Sequence, residues 1–228
     1  MRAQAARLRS SSEALPFAHA LLQLGQYGPA HSLASRLLWG QAYTARAPEA
    51  LAAFYPRAYA GAVEDESQRH QVDPNLVWAI MRRESGFRPE VASAADARGL
   101  MQVIPRTGAA IASALKEGFS GPDELFSPER SIRYGAWYLA QLMKRFGHPA
   151  LAAAAYNAGP SAALRWTRER GALPTDLFVE SIPYRETRGY VKQVVGDLYL
   201  YHSLYGDPDE APRLRLTLPQ PLAEGVNF

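Results

Sequence analysis

From about residue 57 into the low 200s, apolar residues recur at intervals of three and four, without the sustained alternation a strand requires. Asp73-Pro74 supplies a capping residue followed by proline at the first helical position, and Leu76, Val77, Ile80 and Met81 then mark one apolar face. Ser127-Pro128 repeats that start signal. The stripe of Ile132, Ala136, Leu139, Met143 and Phe146 stops at Gly147, where a helix is expected to end. Pro149 opens a helix expected to finish near Asn157-Ala158-Gly159-Pro160, a further one runs to Arg170, and Tyr190, Val194, Leu198 and Tyr201 stripe the last long helix. The pattern predicts an all-α domain over 57–205.

The flanks read differently. Residues 16–40 predict two short helices joined near Gly25 to Gly28, with Ala18, Leu21, Leu22, Ala30, Leu33 and Leu37 at helical spacing. Such a pair resembles one unit of a helical repeat. A single unit cannot bury both faces, so residues 1–56 are expected to be the stump of a larger solenoid or linker docked on its neighbour. Beyond Gly206, Pro208, Pro212, Pro219 and Pro221 exclude a helix, and 206–228 is expected to be an extended tail.

Composition narrows the function classes. A chain of 228 residues holds one ordinary core plus some extra helices, and 47% hydrophobic with 21% charged residues is ordinary for a globular protein. The formal net charge of +3 is mildly basic and favours approach to an acidic polymer. Its Lys and Arg are dispersed and its aromatics form no RNA-binding pattern, so no nucleic-acid partner is expected. The absence of cysteine excludes disulfides, thiol nucleophiles and thiolate metal sites. No window has the length of a transmembrane span, so no stable membrane insertion is expected. The basic N-terminus lacks a signal-peptide core, which implies a removed targeting segment or a longer parent chain.

Glu84 lies three residues after Met81 and four after Ile80, which places a carboxylate on an apolar helix face. Burial and the nearby negative end of the helix, suggested by Ser85-Gly86, both raise its pKa. A carboxyl kept protonated near neutrality is what a general acid needs. By position alone, a rim glutamate paired with Arg82, Arg83 or Arg88 is the better explanation.

Its company argues for chemistry. Glu84-Ser85-Gly86-Phe87 is followed by Gly99-Leu100-Met101-Gln102, then Ala155-Tyr156-Asn157-Ala158-Gly159, then the run from Ile182 to Tyr190, Ile-Pro-Tyr-Arg-Glu-Thr-Arg-Gly-Tyr. In order and spacing these four motifs resemble the catalytic domain of the soluble lytic transglycosylases over about residues 57–205. The resemblance implies an all-α, lysozyme-like fold preceded by a superhelical linker remnant, acting on peptidoglycan glycan strands in the periplasm or cell envelope. It implies cleavage of the MurNAc-GlcNAc β-1,4 bond with formation of 1,6-anhydro-MurNAc ends, without metal or cofactor.

Carried over residue by residue, Glu84 matches the catalytic glutamate and Ser93 the serine that contacts the sugar near the scissile bond. Met101 and Gln102 match the segment lining the cleft. Tyr156 and Asn157 match the pair facing the glutamate, with Tyr156 expected to hold the carboxyl or the sugar. Glu186 and Tyr190, one turn apart, match the wall of the site. Each also has a structural reading: a loop or cap serine for Ser93, packing for Met101 and Gln102, a core tyrosine for Tyr156, a helix end for Asn157. Glu180 is expected to be a structural ion-pair partner of an arginine. Asp96 stands where many family members have a small residue or glycine, and is expected to serve as a left-handed substitute. The alternatives are a goose-type lysozyme-like hydrolase, in which water attacks, and a non-catalytic peptidoglycan-binding scaffold.

Overall fold

Asp73 and Ser127 are caps in fact. The Asp73 carboxylate accepts the Asn75 N–H at 2.8 Å, and the Ser127 hydroxyl accepts that of Arg130 at 3.3 Å. The computed structural model describes residues 11–39, 48–206 and 217–219. Three helices come first, α1 (Ser11–Gln23), α2 (Tyr27–Trp39) and α3 (Pro48–Phe54). They are followed by α4 (Ala60–His70), α5 (Pro74–Glu84), α6 (Pro105–Leu115), a 3-10 helix (Pro122–Phe126) and α7 (Pro128–Phe146). The last four are α8 (Pro149–Ala158), α9 (Pro160–Arg170), α10 (Thr175–Glu180) and α11 (Arg185–Tyr205). Strand pairing among the described residues is limited to the isolated bridges Ala92–Arg98, Arg98–Val103 and Pro174–Thr217. The all-α expectation holds.

Helix α5 is the centre. Every residue from Leu76 to Arg82 is buried, so the helix has no solvent face and must be enclosed by neighbours. Helices α4, α7 and α11 enclose it, and α11 also packs along α8. Large side chains close the contacts with hydrogen-bonded polar tips. Trp78 Nε1 donates to the Ala58 carbonyl at 2.8 Å, Tyr201 Oη to that of Pro56 at 3.0 Å, and Tyr205 Oη to that of Tyr55 at 2.8 Å. The 55–58 segment is thereby tied to α5 and α11.

Helices α1 to α3 form their own small core of Ala14, Ala18, Leu33, Ala34 and Ala53. Leu21 and Ala30, read as inward-facing, are buried as well. This layer meets the main body through His31, whose ring stacks on Phe54 and meets the edge of Phe87, with centroids 5.3 and 5.2 Å apart. His31 Nδ1 donates to the Phe54 carbonyl at 2.8 Å. Burial first, then the Arg82 charge, lowers the His31 pKa to about 3, so the imidazole is neutral. Residues 1–10 and 40–47 of the expected linker, and the Leu37 side chain, lie outside the described residues.

Pro208, Pro212 and Pro221 of the expected tail also lie outside the described residues. The described piece is docked. Thr217 bridges to Pro174, Leu218 is buried in the main core, and Pro219 lies against Gly147.

The motif Gly99-Leu100-Met101-Gln102 sits on α7 and the 3-10 helix. Leu100 and Met101 are wholly buried, and the Ser131 hydroxyl of α7 accepts the Met101 N–H at 3.0 Å. Gly99 has φ 75°, and a Cβ there would lie 1.9 Å from the Leu125 carbonyl oxygen. Only glycine satisfies both conditions. Gly99→Ala is therefore expected to cost about 3 kcal/mol or more, read as a fall in Tm of roughly 6–12 °C. A variant that melts within about 2 °C of the parent contradicts this close approach.

Candidate active site

Glu84 is the last residue of α5, and the chain leaves at once through a left-handed turn. Gly86 and Phe87 have φ 57° and 64°, and Phe87 holds that unfavourable conformation because its ring is buried. The Arg88 Nε donates to the Ser85 carbonyl at 2.9 Å. Glu84 thus stands at the C-terminal end of α5, at the negative pole of its helix.

Tyr190 of α11 donates its hydroxyl to Glu84 Oε1 at 2.5 Å. Three effects act on the carboxyl. Burial raises its pKa, the Tyr190 hydrogen bond lowers it, and the Glu186 charge raises it. Burial dominates, and the pKa is pushed up to about 7. A carboxyl in this range can give up a proton near neutral pH and, once ionised, take one back. Burial, followed by the Glu84 charge, drives the Tyr190 and Tyr156 phenols well above 10, so both keep their protons.

Two open cavities flank the acid. One of about 640 Å³ is lined by Glu84, Arg83, Ser85, Arg88 and, from α2, Ser32 and Arg36. The other, about 570 Å³, is lined by Arg83, Arg185, Glu186, Tyr190 and Gln193. A larger cavity, about 1140 Å³, lies elsewhere, along the Val191–Val195–Tyr199 side of α11, and contains none of the sequence-predicted site residues. Size does not mark the chemistry here.

The remaining predicted residues divide into groups. Tyr190 reaches Glu84 by its hydrogen bond and Glu186 by its charge. Ser93 is exposed, and its Oγ accepts the N–H groups of Ala95 and Ala97 at 3.2 and 3.1 Å, so it shapes its loop while keeping a hydrogen to donate. Asp96 takes the left-handed conformation expected of it, with φ 60°, and its carboxylate accepts from Arg98 Nε at 2.8 Å. Gln102, also left-handed at φ 48°, donates its amide to the Val91 and Gly99 carbonyls, both at 3.0 Å. It buttresses the loop from behind. Asn157 accepts from the Thr187 hydroxyl at 2.6 Å and ties α8 to α11.

Three expectations need correction. Met101 does not line the cleft with its side chain, which is wholly buried and packs so closely on Gly135 that a Cβ there would come within 2.5 Å. Tyr156 does not hold the carboxyl. Its hydroxyl donates to the Met101 carbonyl at 2.8 Å, and the bond to the acid belongs to Tyr190. Glu180 is a surface ion-pair partner, but of Lys192 at 2.8 Å instead of an arginine.

The sequence reading also missed Asp197. Arg82 and Arg83, weighed as partners of Glu84, both turn to this buried carboxylate of α11, Arg82 at 2.8 Å and Arg83 Nε at 2.5 Å. The available signal was helical spacing: Asp197 lies seven residues after Tyr190, on the same face.

Comparison with known proteins adds an independent line. The family described as "Transglycosylase SLT domain" matches residues 61–179, and "Soluble lytic transglycosylase helical domain" matches 181–209. The soluble lytic murein transglycosylase of Escherichia coli (strain K12) is 36% identical over 156 residues, which are 67% of this chain and 24% of that protein. The chain thus spans about a quarter of the length of that relative. An inactive Glu-to-Gln mutant of lytic transglycosylase Slt from Pseudomonas aeruginosa has a similar structure, with TM-score 0.79 and 28% identity, covering 96% of this chain and 35% of that one. The 70 kDa soluble lytic transglycosylase of Escherichia coli gives TM-score 0.79 and 30% identity over 88% of this chain and 32% of its own.

The raised Glu84 pKa has a thermodynamic sign. A group protonated more readily when folded contributes stability that is full below its unfolded pKa of 4.5 and is lost as pH rises through about 7. Replacing it with a neutral amide removes that loss. Glu84→Gln is expected to match the parent near pH 4.5 and to gain on it by up to about 3 kcal/mol at pH 8. Denaturant melts of both proteins across this range check it, and a difference that does not change with pH contradicts the buried acid.

Proposed function

This chain belongs to the transglycosylase SLT-domain family, and from that premise we propose that it is a lytic transglycosylase with Glu84 as its one acid/base. Its substrate is the glycan strand of peptidoglycan, reached in the periplasm or cell envelope. The observation that carries this reading is the half-buried Glu84 carboxyl, pushed up to about 7 and oriented by Tyr190 at 2.5 Å.

In the first step Glu84 gives its proton to the oxygen of the MurNAc-GlcNAc bond, and the C1–O bond breaks with help from the sugar's own N-acetyl oxygen. The resulting carboxylate then takes the proton of the C6 hydroxyl, whose oxygen bonds to C1 and displaces the N-acetyl oxygen. Glu84 regains its proton, and no water is consumed. An intramolecular hydroxyl held over C1 has an effective molarity of about 10⁵ M or more, far above that of bulk water. Tyr190 fixes the carboxyl for both transfers. Ser93, with its hydrogen free to donate, is assigned to a sugar oxygen near the scissile bond. Tyr156, Asn157, Gln102 and the Met101 carbonyl support that surface from behind.

Glu186 favours a second reading. Its charge reaches Glu84, and a hydrolase of lysozyme type needs a second carboxylate to activate water or trap C1. Reaction of sacculi in ¹⁸O-labelled water separates the two. The transglycosylase is expected to release muramoyl ends one water lighter than hydrolytic products, without label at C1; label in most products promotes the hydrolase. Alongside, Glu84→Gln is expected to lose at least about 10³-fold in turnover, and Glu186→Gln less than about 10-fold with unchanged products. Equal losses in the two variants would make Glu186 a partner in the chemistry and overturn the single-acid assignment.

A further inference from the structure

Glu84 occupies the weakest position on its helix, because a terminal helical residue lacks the following turn and helix ends fray. Tyr190 alone bonds one carboxyl oxygen. The two residues before the acid, however, are anchored far more strongly. Asp197 Oδ2 accepts from Arg82 at 2.8 Å and from Arg83 Nε at 2.5 Å. Its Oδ1 accepts from Arg83 Nη2 at 2.8 Å and from the Tyr55 hydroxyl at 3.3 Å. Asp197 is only 2% exposed. The Arg82 guanidinium lies 4.1 and 4.3 Å from the Phe54 and Tyr55 ring centroids, and its Nε donates to the Phe54 carbonyl at 3.2 Å. Removing a buried partner of this kind leaves uncompensated charge.

We propose that Asp197 is a positioning residue for Glu84: it pins Arg82 and Arg83 to α11, seats the end of α5 in register with Tyr190, and offsets one of the two guanidinium charges beside the acid. Tyr190 and Asp197 lie two turns apart on one face of α11, so residues 82 to 84 are held at both ends of a two-point clamp. The role rests on Glu84 being the acid, as proposed above. Its electrostatic part follows from the neighbours. Arg82 and Arg83 on α5, Arg88 in the following loop and Arg36 on α2 supply positive charge around the acid's cavity. Glu186 and Tyr190 on α11 and Tyr156 on α8 complete the titratable surroundings, and His31 on α2 is neutral. Without Asp197 the excess of positive charge grows, and an ionised Glu84 becomes easier to form.

The test reads Glu84 directly, by ¹³C NMR titration of glutamate-labelled protein with the resonance assigned by its loss in Glu84→Gln. Asp197→Asn is expected to lower the Glu84 midpoint by about one pH unit. It is also expected to reduce kcat on a soluble muropeptide oligomer at least tenfold while KM changes less than about threefold. Arg83→Gln, which removes a cation, is expected to move the midpoint the other way. A folded Asp197→Asn whose midpoint stays within about 0.3 pH unit of the parent, or two variants shifted in the same direction, overturns the proposal. Should Asp197→Asn fail to fold, an unmoved midpoint in Arg83→Gln overturns it as well. Glu84→Gln with parental turnover would instead refute the assignment of the acid, while the NMR midpoints still report on the clamp.

Discussion

Withdrawing the Glu84 carboxyl from water is the constraint around which this structure is organised. Burial disfavours the charged form more than the Tyr190 hydrogen bond favours it, and Glu186 adds to the burial. A carboxyl in this balance can serve only if the surrounding protein does not relax and let water in. That requirement accounts for a helix enclosed on all sides from Leu76 to Arg82, and for a second helix, α11, that supplies the hydroxyl facing the acid. The site is a property of the α5–α11 contact before it is a property of any one residue.

The rim is rigid for a different reason. Gly86, Phe87, Asp96, Gly99 and Gln102 all have left-handed backbone, so the segment after the acid is folded by a series of tight turns instead of by regular structure. Side chains satisfy the backbone groups these turns leave open. The Gln102 amide serves two carbonyls, and the Ser93 hydroxyl serves two N–H groups. A loop stabilised this way holds its shape without a helix or sheet behind every residue.

Much of this was legible in the chain. Helices α5, α7, α8 and α11 announce themselves by caps, prolines and apolar stripes, and Glu84 by standing where a charge does not belong. Helix α4 was not read, because among its residues only Val63, Glu66 and Ser67 are buried and the polar run conceals the period. Helix α6 begins at Ile104-Pro105 with no side-chain cap to advertise it. At the site, residue types were recovered better than contacts. Tyr156 and Tyr190 are both phenols near one carboxyl, and a sequence does not say which of them reaches it. Met101 sits in a motif with Gln102, yet the packing against Gly135 that turns its side chain inward involves a partner more than thirty residues away. Asp197 escaped notice because its helical spacing from Tyr190 marks a face and not a partner; its meaning is created by two arginines from another helix.

The neutral imidazole at the joint between α2 and the main body has a consequence for how many protons travel with folding. His31 stays unprotonated in the fold down to about 3, whereas in the open chain it takes up a proton below its ordinary 6.5. Glu84 does the reverse, keeping its proton up to about 7 when folded and releasing it above 4.5 when not. Between 4.5 and 6.5 the folded molecule therefore carries one proton on the glutamate, and the unfolded chain carries one on the histidine. The number of protons bound by the pair is the same in both states, so folding takes up and releases none on their account. For this pair of groups the pH slope of stability cancels across mild acidity, so the cost of holding Glu84 protonated is not added to that of holding His31 neutral as pH changes there.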